Sequence, residues 1–113
     1  PYLEAAVRLS PAGLIFHWGL GNHYALLGRY DEAARQVDWL FEHAPQFPYT
    51  RTLHGLVLGA TGCHHEAQAV LRTIDEAPLD GHHIFHLAES WAAAGDAARA
   101  VELLDRAVTM GFY

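Results

Sequence analysis

The amino-acid sequence predicts an all-α chain of stacked, antiparallel helical hairpins, and three observations predict it. First, positions recur. Pro11, Pro45 and Pro78 are spaced by 34 and then 33 residues, as are Gly28, Gly62 and Gly95, Ala33, Ala67 and Ala100, and Gly21, Gly55 and Ala88. Self-similarity at such a period marks a helical repeat array. Second, residues inside a unit fall three or four apart on one helix face, as His17, Leu20, Tyr24 and Leu27 do. Third, every unit is cut at the same place by Gly28, Gly62 or Gly95, a residue that tolerates the positive φ of a helix end.

About seven helices are expected, near 2–9, 14–27, 30–43, 48–61, 64–76, 82–94 and 97–110. The first is the second helix of a truncated hairpin within 1–13. In unit 14–47, Gly28 ends the opening helix, and Asp31 and Glu32 start the next, where the helix dipole favours negative charge. His43 lies near its end and Pro45 prevents continuation. Unit 48–80 repeats this plan. In unit 81–113, Ile84, Leu87, Ala88 and Trp91 form one face, and Asp96 is placed to cap the last helix. Leu3, Val37, Leu71 and Leu104 form one apolar register, and Ala6, Leu40, Ile74 and Ala107 form another. The small residues Gly21, Gly55 and Ala88 let paired helices approach closely. The short linkers make neighbouring helices antiparallel. The whole of 1–113 reads as one domain, and its abrupt ends read as a piece of a longer protein.

With 51% hydrophobic residues among 113, the chain can form an ordered core. Its formal charge of −6, from 13 acidic against 7 basic residues, opposes nucleic acid and gives no attraction to an anionic membrane. No apolar run approaches a membrane span. Cys63 is the only cysteine, so no internal disulfide can form. All seven basic residues are arginine, a bias expected of a GC-rich bacterial genome. A cytoplasmic location is expected.

The segment Leu20-Gly21-Asn22-His23-Tyr24-Ala25-Leu26-Leu27-Gly28-Arg29-Tyr30-Asp31-Glu32-Ala33, followed by Pro45, resembles a tetratricopeptide repeat. The third unit shares the pattern through Ala88, Trp91, Gly95, Ala100 and Ala107, and the second does so less fully. There are departures. His17, with Trp18 next to it, stands where a bulky aromatic usually opens the first helix; His54 replaces a buried leucine; and the third unit ends in Gly111-Phe112 instead of proline. The resemblance implies a right-handed superhelical solenoid whose first helices line a concave groove that holds a peptide or partner domain. It places Ile15, Trp18, Asn22, Ala25 and Leu26 in that groove, then Tyr49, Thr52, Leu56, Gly59 and Ala60, then His82, Phe85, Glu89, Ala92 and Ala93. Trp18, Tyr49 and Phe85 are candidate anchors, since aromatic residues dominate binding hot spots. Alternatively, Trp18 and Phe85 pack against neighbouring units. Members that grip chaperone tails use a basic clamp in the groove. Here only Asn22 matches it, and Trp18, Leu53, His82 and His86 stand in the other places, so two carboxylates have no basic groups to hold them.

Nine histidines are a further feature. His82 and His86, one helical turn apart, are the candidate metal ligands, with Glu89 the only third group in reach. No metal centre and no cofactor is expected; the histidines are read as partly exposed residues at helix starts, with His17 and His54 semi-buried and hydrogen-bonded. Cys63 and His64 are adjacent and so point in different directions, and no third group orients them, which argues against a nucleophile–base pair. The reading that follows is a non-enzymatic scaffold binding a protein or peptide, with Trp18, Asn22, Leu26, Tyr49, Thr52, Leu56, His82, Phe85 and Glu89 as the contact residues and a hydrophobic segment as the target. The alternatives are an accessory dimerisation or regulatory domain of a larger signalling protein, and a His-rich metal-binding module.

Overall fold

The computed structural model describes residues 10–112, without the side chains of residues 11 and 12. The helix expected near 2–9, with Leu3 and Ala6, lies outside them. The described residues form six α-helices and no strand: α1 (Pro11–Leu26), α2 (Tyr30–His43), α3 (Pro48–Ala60), α4 (His64–Arg72), α5 (Gly81–Ala93) and α6 (Ala97–Thr109). They pair as hairpins α1–α2, α3–α4 and α5–α6, and each hairpin stacks on the next through α3 and α5.

The local chemistry accounts for the boundaries. α1 begins earlier than the apolar pattern alone indicates, because Pro11 fits the first helical position and the Ser10 side chain accepts from the Gly13 amide at 3.1 Å. Asp80 and Asp96 cap α5 and α6 by accepting from the amides of His83 and Arg99, at 2.8 and 2.9 Å. Gly28, Gly62 and Gly95 turn the chain with φ of 78°, 89° and 87°. α4 stops at Arg72, short of the expected residue 76. Thr73 and Ile74 donate to the carbonyls three residues back, which tightens the last turn, and the Asp75 carboxylate then accepts from the Ala77 amide.

Two apolar cores result. One holds Trp18, Ala33, Val37, Leu40, Leu53 and Leu56; the other holds Ala67, Leu71, Leu79, Ile84, Leu87, Trp91 and Leu103. Each fully buried aliphatic chain contributes about 1.5–3 kcal/mol. One register needs correction. Leu104 is 39% exposed and Leu103 is fully buried, so the α6 stripe runs Ala100, Leu103, Ala107. Ala100 and Ala107 leave either leucine geometrically able to face inward, and the packing surface of α5 lies on the Leu103 side.

The small residues act at helix crossings. A Cβ on Gly21 would meet Leu53 Cδ2 at 2.6 Å, and one on Gly55 would meet Leu71 Cδ2. Gly59 is buried where α3 crosses α5, and a Cβ there would lie 2.6 Å from the backbone carbon of Ala93. Between the hairpins α3–α4 and α5–α6, the contact is partly polar. Thr52 and His83 are bonded through Oγ1 and Nε2 at 2.8 Å, and the Ser90 hydroxyl donates to the Thr52 carbonyl at 2.7 Å. The Tyr49 ring stacks on His83 at 3.8 Å.

Candidate functional site

The first helices of the three hairpins bring their aromatic and imidazole side chains together. Trp18 of α1 reaches Tyr49 of α3, with ring centroids 4.4 Å apart, and His86 of α5, at 4.6 Å. His82 lies between Tyr49 and Phe112, and Phe85 packs against Phe112 at 5.2 Å. The side chains are linked by hydrogen bonds as well as by packing. Tyr49 Oη bonds His82 Nδ1 at 2.8 Å, His82 Nε2 faces His86 Nε2 at 3.2 Å, and His86 Nδ1 meets Glu89 Oε1 at 2.5 Å. The spacing of His82, His86 and Glu89 along one helix places them on one face.

The residues selected from sequence fall into two groups. Trp18, Tyr49, Thr52 and Leu56 are buried, at 5%, 8%, 1% and 5% exposure. Trp18 is covered by α3 and α5, so it forms a floor. The Thr52 hydroxyl is already used by His83. Ala25 and Gly59 are buried too, Gly59 against the Ala93 backbone. Leu26, at 61% exposure, and His82 are open to solvent, while Asn22, Phe85 and Glu89 are half-buried. Ile15 and Ala92 are exposed, and Ala60 and Ala93 are half-buried.

Burial sets the protonation of this cluster. It pushes the His83 imidazole down to about 4, against a weaker opposing pull from Asp80, so the Thr52 bond joins neutral groups at pH 7. Burial also lowers His82, assisted by His86, and raises the Tyr49 phenol to about 12. Tyr49, His82 and His83 therefore supply no fixed positive charge of the kind a basic clamp uses to hold a carboxylate.

Several roles were not apparent from sequence. His83 was expected to be partly exposed at a helix start; it is 3% exposed, wedged between Tyr49 and Thr52. His17 is hydrogen-bonded to Gln36 at 2.9 Å, as expected, and also stacks on Trp39, whose ring stacks on His43. His54 was expected to be hydrogen-bonded, but its buried Nδ1 has no partner, and its ring packs edge-on to Phe41. The only sequence signal for the seam between hairpins was the presence of Thr52 and Ser90 on otherwise apolar faces.

A model of the family described as tetratricopeptide repeat matches residues 1–38 and 52–111, most of the chain. The chain belongs to the tetratricopeptide repeat family. Comparison with curated proteins and with solved structures found no match. Tetratricopeptide repeats generally mediate protein–protein interaction and are typically non-catalytic scaffolds. Among the described residues, no helix is long and apolar enough to cross a membrane.

Proposed function

We propose that this tetratricopeptide repeat chain holds a protein or peptide partner by an apolar segment laid across α1, α3 and α5. The observation that carries the reading is the ring cluster of Trp18, Tyr49, His82, His86 and Phe85, to which all three first helices contribute. Exposed Leu26 and half-buried Asn22, Phe85 and Glu89 are the accessible residues on the same first helices. An aromatic floor that is already packed binds without ordering new side chains, which keeps the entropy cost of association low. The concave face as the contact surface, and the apolar character of the partner, belong to this proposal.

A peptide library selected on the protein tests it. Apolar peptides should be enriched over peptides ending in clustered carboxylates. Leu26→Ala and Phe85→Ala should weaken the selected peptides about tenfold each, a loss of about 1.4 kcal/mol, with circular dichroism unchanged. Peptides that bind both variants as tightly as the parent would exclude this face.

Self-association is a second reading, favoured by α6. Val101, Leu104 and Val108 form an exposed apolar stripe, at 65%, 39% and 53% exposure. Light scattering at rising concentration, repeated with Val101→Glu and Val108→Glu, decides it. A parent protein that stays monomeric ends this reading.

A further inference from the structure

The two histidines that close the ring cluster are arranged as a chelate. His82 and His86 lie one turn apart on α5 with their Nε2 atoms 3.2 Å from each other. Two imidazole nitrogens bound to one zinc ion at 2.0–2.1 Å in tetrahedral geometry are about 3.4 Å apart. The second nitrogen of each ring is held from behind by an oxygen. Glu89 Oε1 lies 2.5 Å from His86 Nδ1, and Tyr49 Oη lies 2.8 Å from His82 Nδ1. Metal-ligating histidines almost always use their other ring nitrogen in this way, which fixes the tautomer and aims the ligating atom.

We propose that His82 and His86 form a two-point binding site for a divalent cation that prefers imidazole, namely zinc, nickel or copper(II), with Glu89 and Tyr49 as positioning residues. Among the described residues no group of three or more His, Cys, Asp or Glu is arranged to hold a metal ion. The chain therefore supplies two ligands, and water fills the remaining positions, unlike a closed four-ligand structural zinc site. His82 is exposed, so the cation enters from solvent without unfolding α5. Glu89 beside the pair adds negative charge and favours a cation.

A hydrogen bond across the 3.2 Å contact needs a hydrogen on one of the two Nε2 atoms, and that hydrogen must give way to the cation. With protons on both Nδ1 atoms, His86 donates to Glu89, His82 donates to Tyr49 Oη, and both Nε2 lone pairs are free for the cation. The site stands apart from the peptide-binding reading, because metal uptake is measured with no partner present.

The test is calorimetric titration of zinc, and then of nickel and copper(II), into untagged protein freed of metal by a chelator. The parent should take up one equivalent. His82→Gln and His86→Gln should each lower the affinity at least tenfold. Glu89→Gln, which keeps both ligands, should lower it about 10–100-fold, with an unchanged circular dichroism spectrum. A His64→Gln/His65→Gln variant, altered at the start of another helix, should bind like the parent. No uptake of any of the three ions by the parent would overturn the assignment. So would an undiminished affinity in His86→Gln, because other histidines would then be holding the ion.

Discussion

Gly59→Ala tests how the hairpins are held together, because two opposing effects can be sized. In a helix interior, alanine is favoured over glycine by about 1 kcal/mol. If intrinsic propensity decided the outcome, the variant would be stabilised. The new methyl, however, would lie 2.6 Å from the Ala93 carbonyl carbon and 2.7 Å from both the Ala93 oxygen and the Ala94 nitrogen. These are backbone atoms, so no rotamer change relieves the contact, and α3 and α5 must separate by roughly 0.8 Å to reach ordinary contact distance. Overpacking of this kind costs about 1–3 kcal/mol, and a gap of that size forfeits a quarter to a half of each dispersion contact it opens. The net expectation is a loss of about 1–2 kcal/mol, or a fall of roughly 5–10 °C in melting temperature. Because the strain falls between hairpins, the urea transition should also broaden, as coupling between stacked units weakens. Gly19→Ala is the reference. Among the described residues a Cβ at Gly19 meets nothing within 4 Å, so that variant should gain about 1 kcal/mol. Thermal and urea melts of both proteins give the comparison. A Gly59→Ala protein as stable and as cooperative as Gly19→Ala would refute the close approach of α3 and α5.

Leu103→Ala should cost about 2–5 kcal/mol and Leu104→Ala under 1 kcal/mol, because only the first leaves a buried cavity; equal losses in urea melts would reverse the corrected α6 register. Glu76 accepts hydrogen bonds from Arg99 and Arg106; burial raises its carboxyl, but the two guanidinium groups outweigh this and hold it below the usual 4.5. Its stabilisation is therefore present above pH 4.5 and lost as the pH falls through the lower folded value. Glu76→Gln should cost about 1 kcal/mol at pH 7 and flatten the acid limb of a stability-against-pH curve. Burial lowers the His54 imidazole below 6.5 against the opposing charges of Asp38 and Glu66, so the folded state prefers it neutral; stability is full above pH 6.5 and declines as the pH falls below it. His54→Leu should lessen that decline, leaving the part that His82 and His83 contribute, and add about 1 kcal/mol at pH 7 by deleting an unpaired buried nitrogen. Circular-dichroism melts at pH 7.5 and 5.5 check both statements about His54.

The fold was legible because its signals are local and repeated. Gly28, Gly62 and Gly95 mark the turns wherever they occur, and Ala33, Ala67 and Ala100 mark the buried stripe of each second helix. Leu103 and Leu104 lie three and four residues after Ala100, so both suit the inward stripe by period, and only the facing helix decides between them. The sequence predicts a longer α4 because Ile74 keeps the apolar period after the backbone has already turned. The contact face was less legible. Sequence placed Trp18, Tyr49 and His82 on first helices, but whether such a ring is offered to solvent or covered depends on side chains 31 to 68 residues away, such as His83 over Thr52 and His86 over Trp18. No single-sequence period carries that information.

The polar seam between the second and third hairpins has a consequence for how repeats find their neighbours. Stacking surfaces made only of aliphatic chains are interchangeable, and an array built from them can skip a unit or exchange one with another copy. Thr52, His83 and Ser90 make one junction chemically unlike the other, because their bonds are satisfied in a single pairing. A third hairpin seated on the first, or on a foreign second hairpin out of register, would bury the His83 imidazole without its Thr52 partner, at a cost of about 1–3 kcal/mol, and leave the Ser90 hydroxyl only the 3.3 Å bond to the His86 carbonyl of its own helix. The seam thus acts as an address within the array, fixing the order of the hairpins as well as their contact.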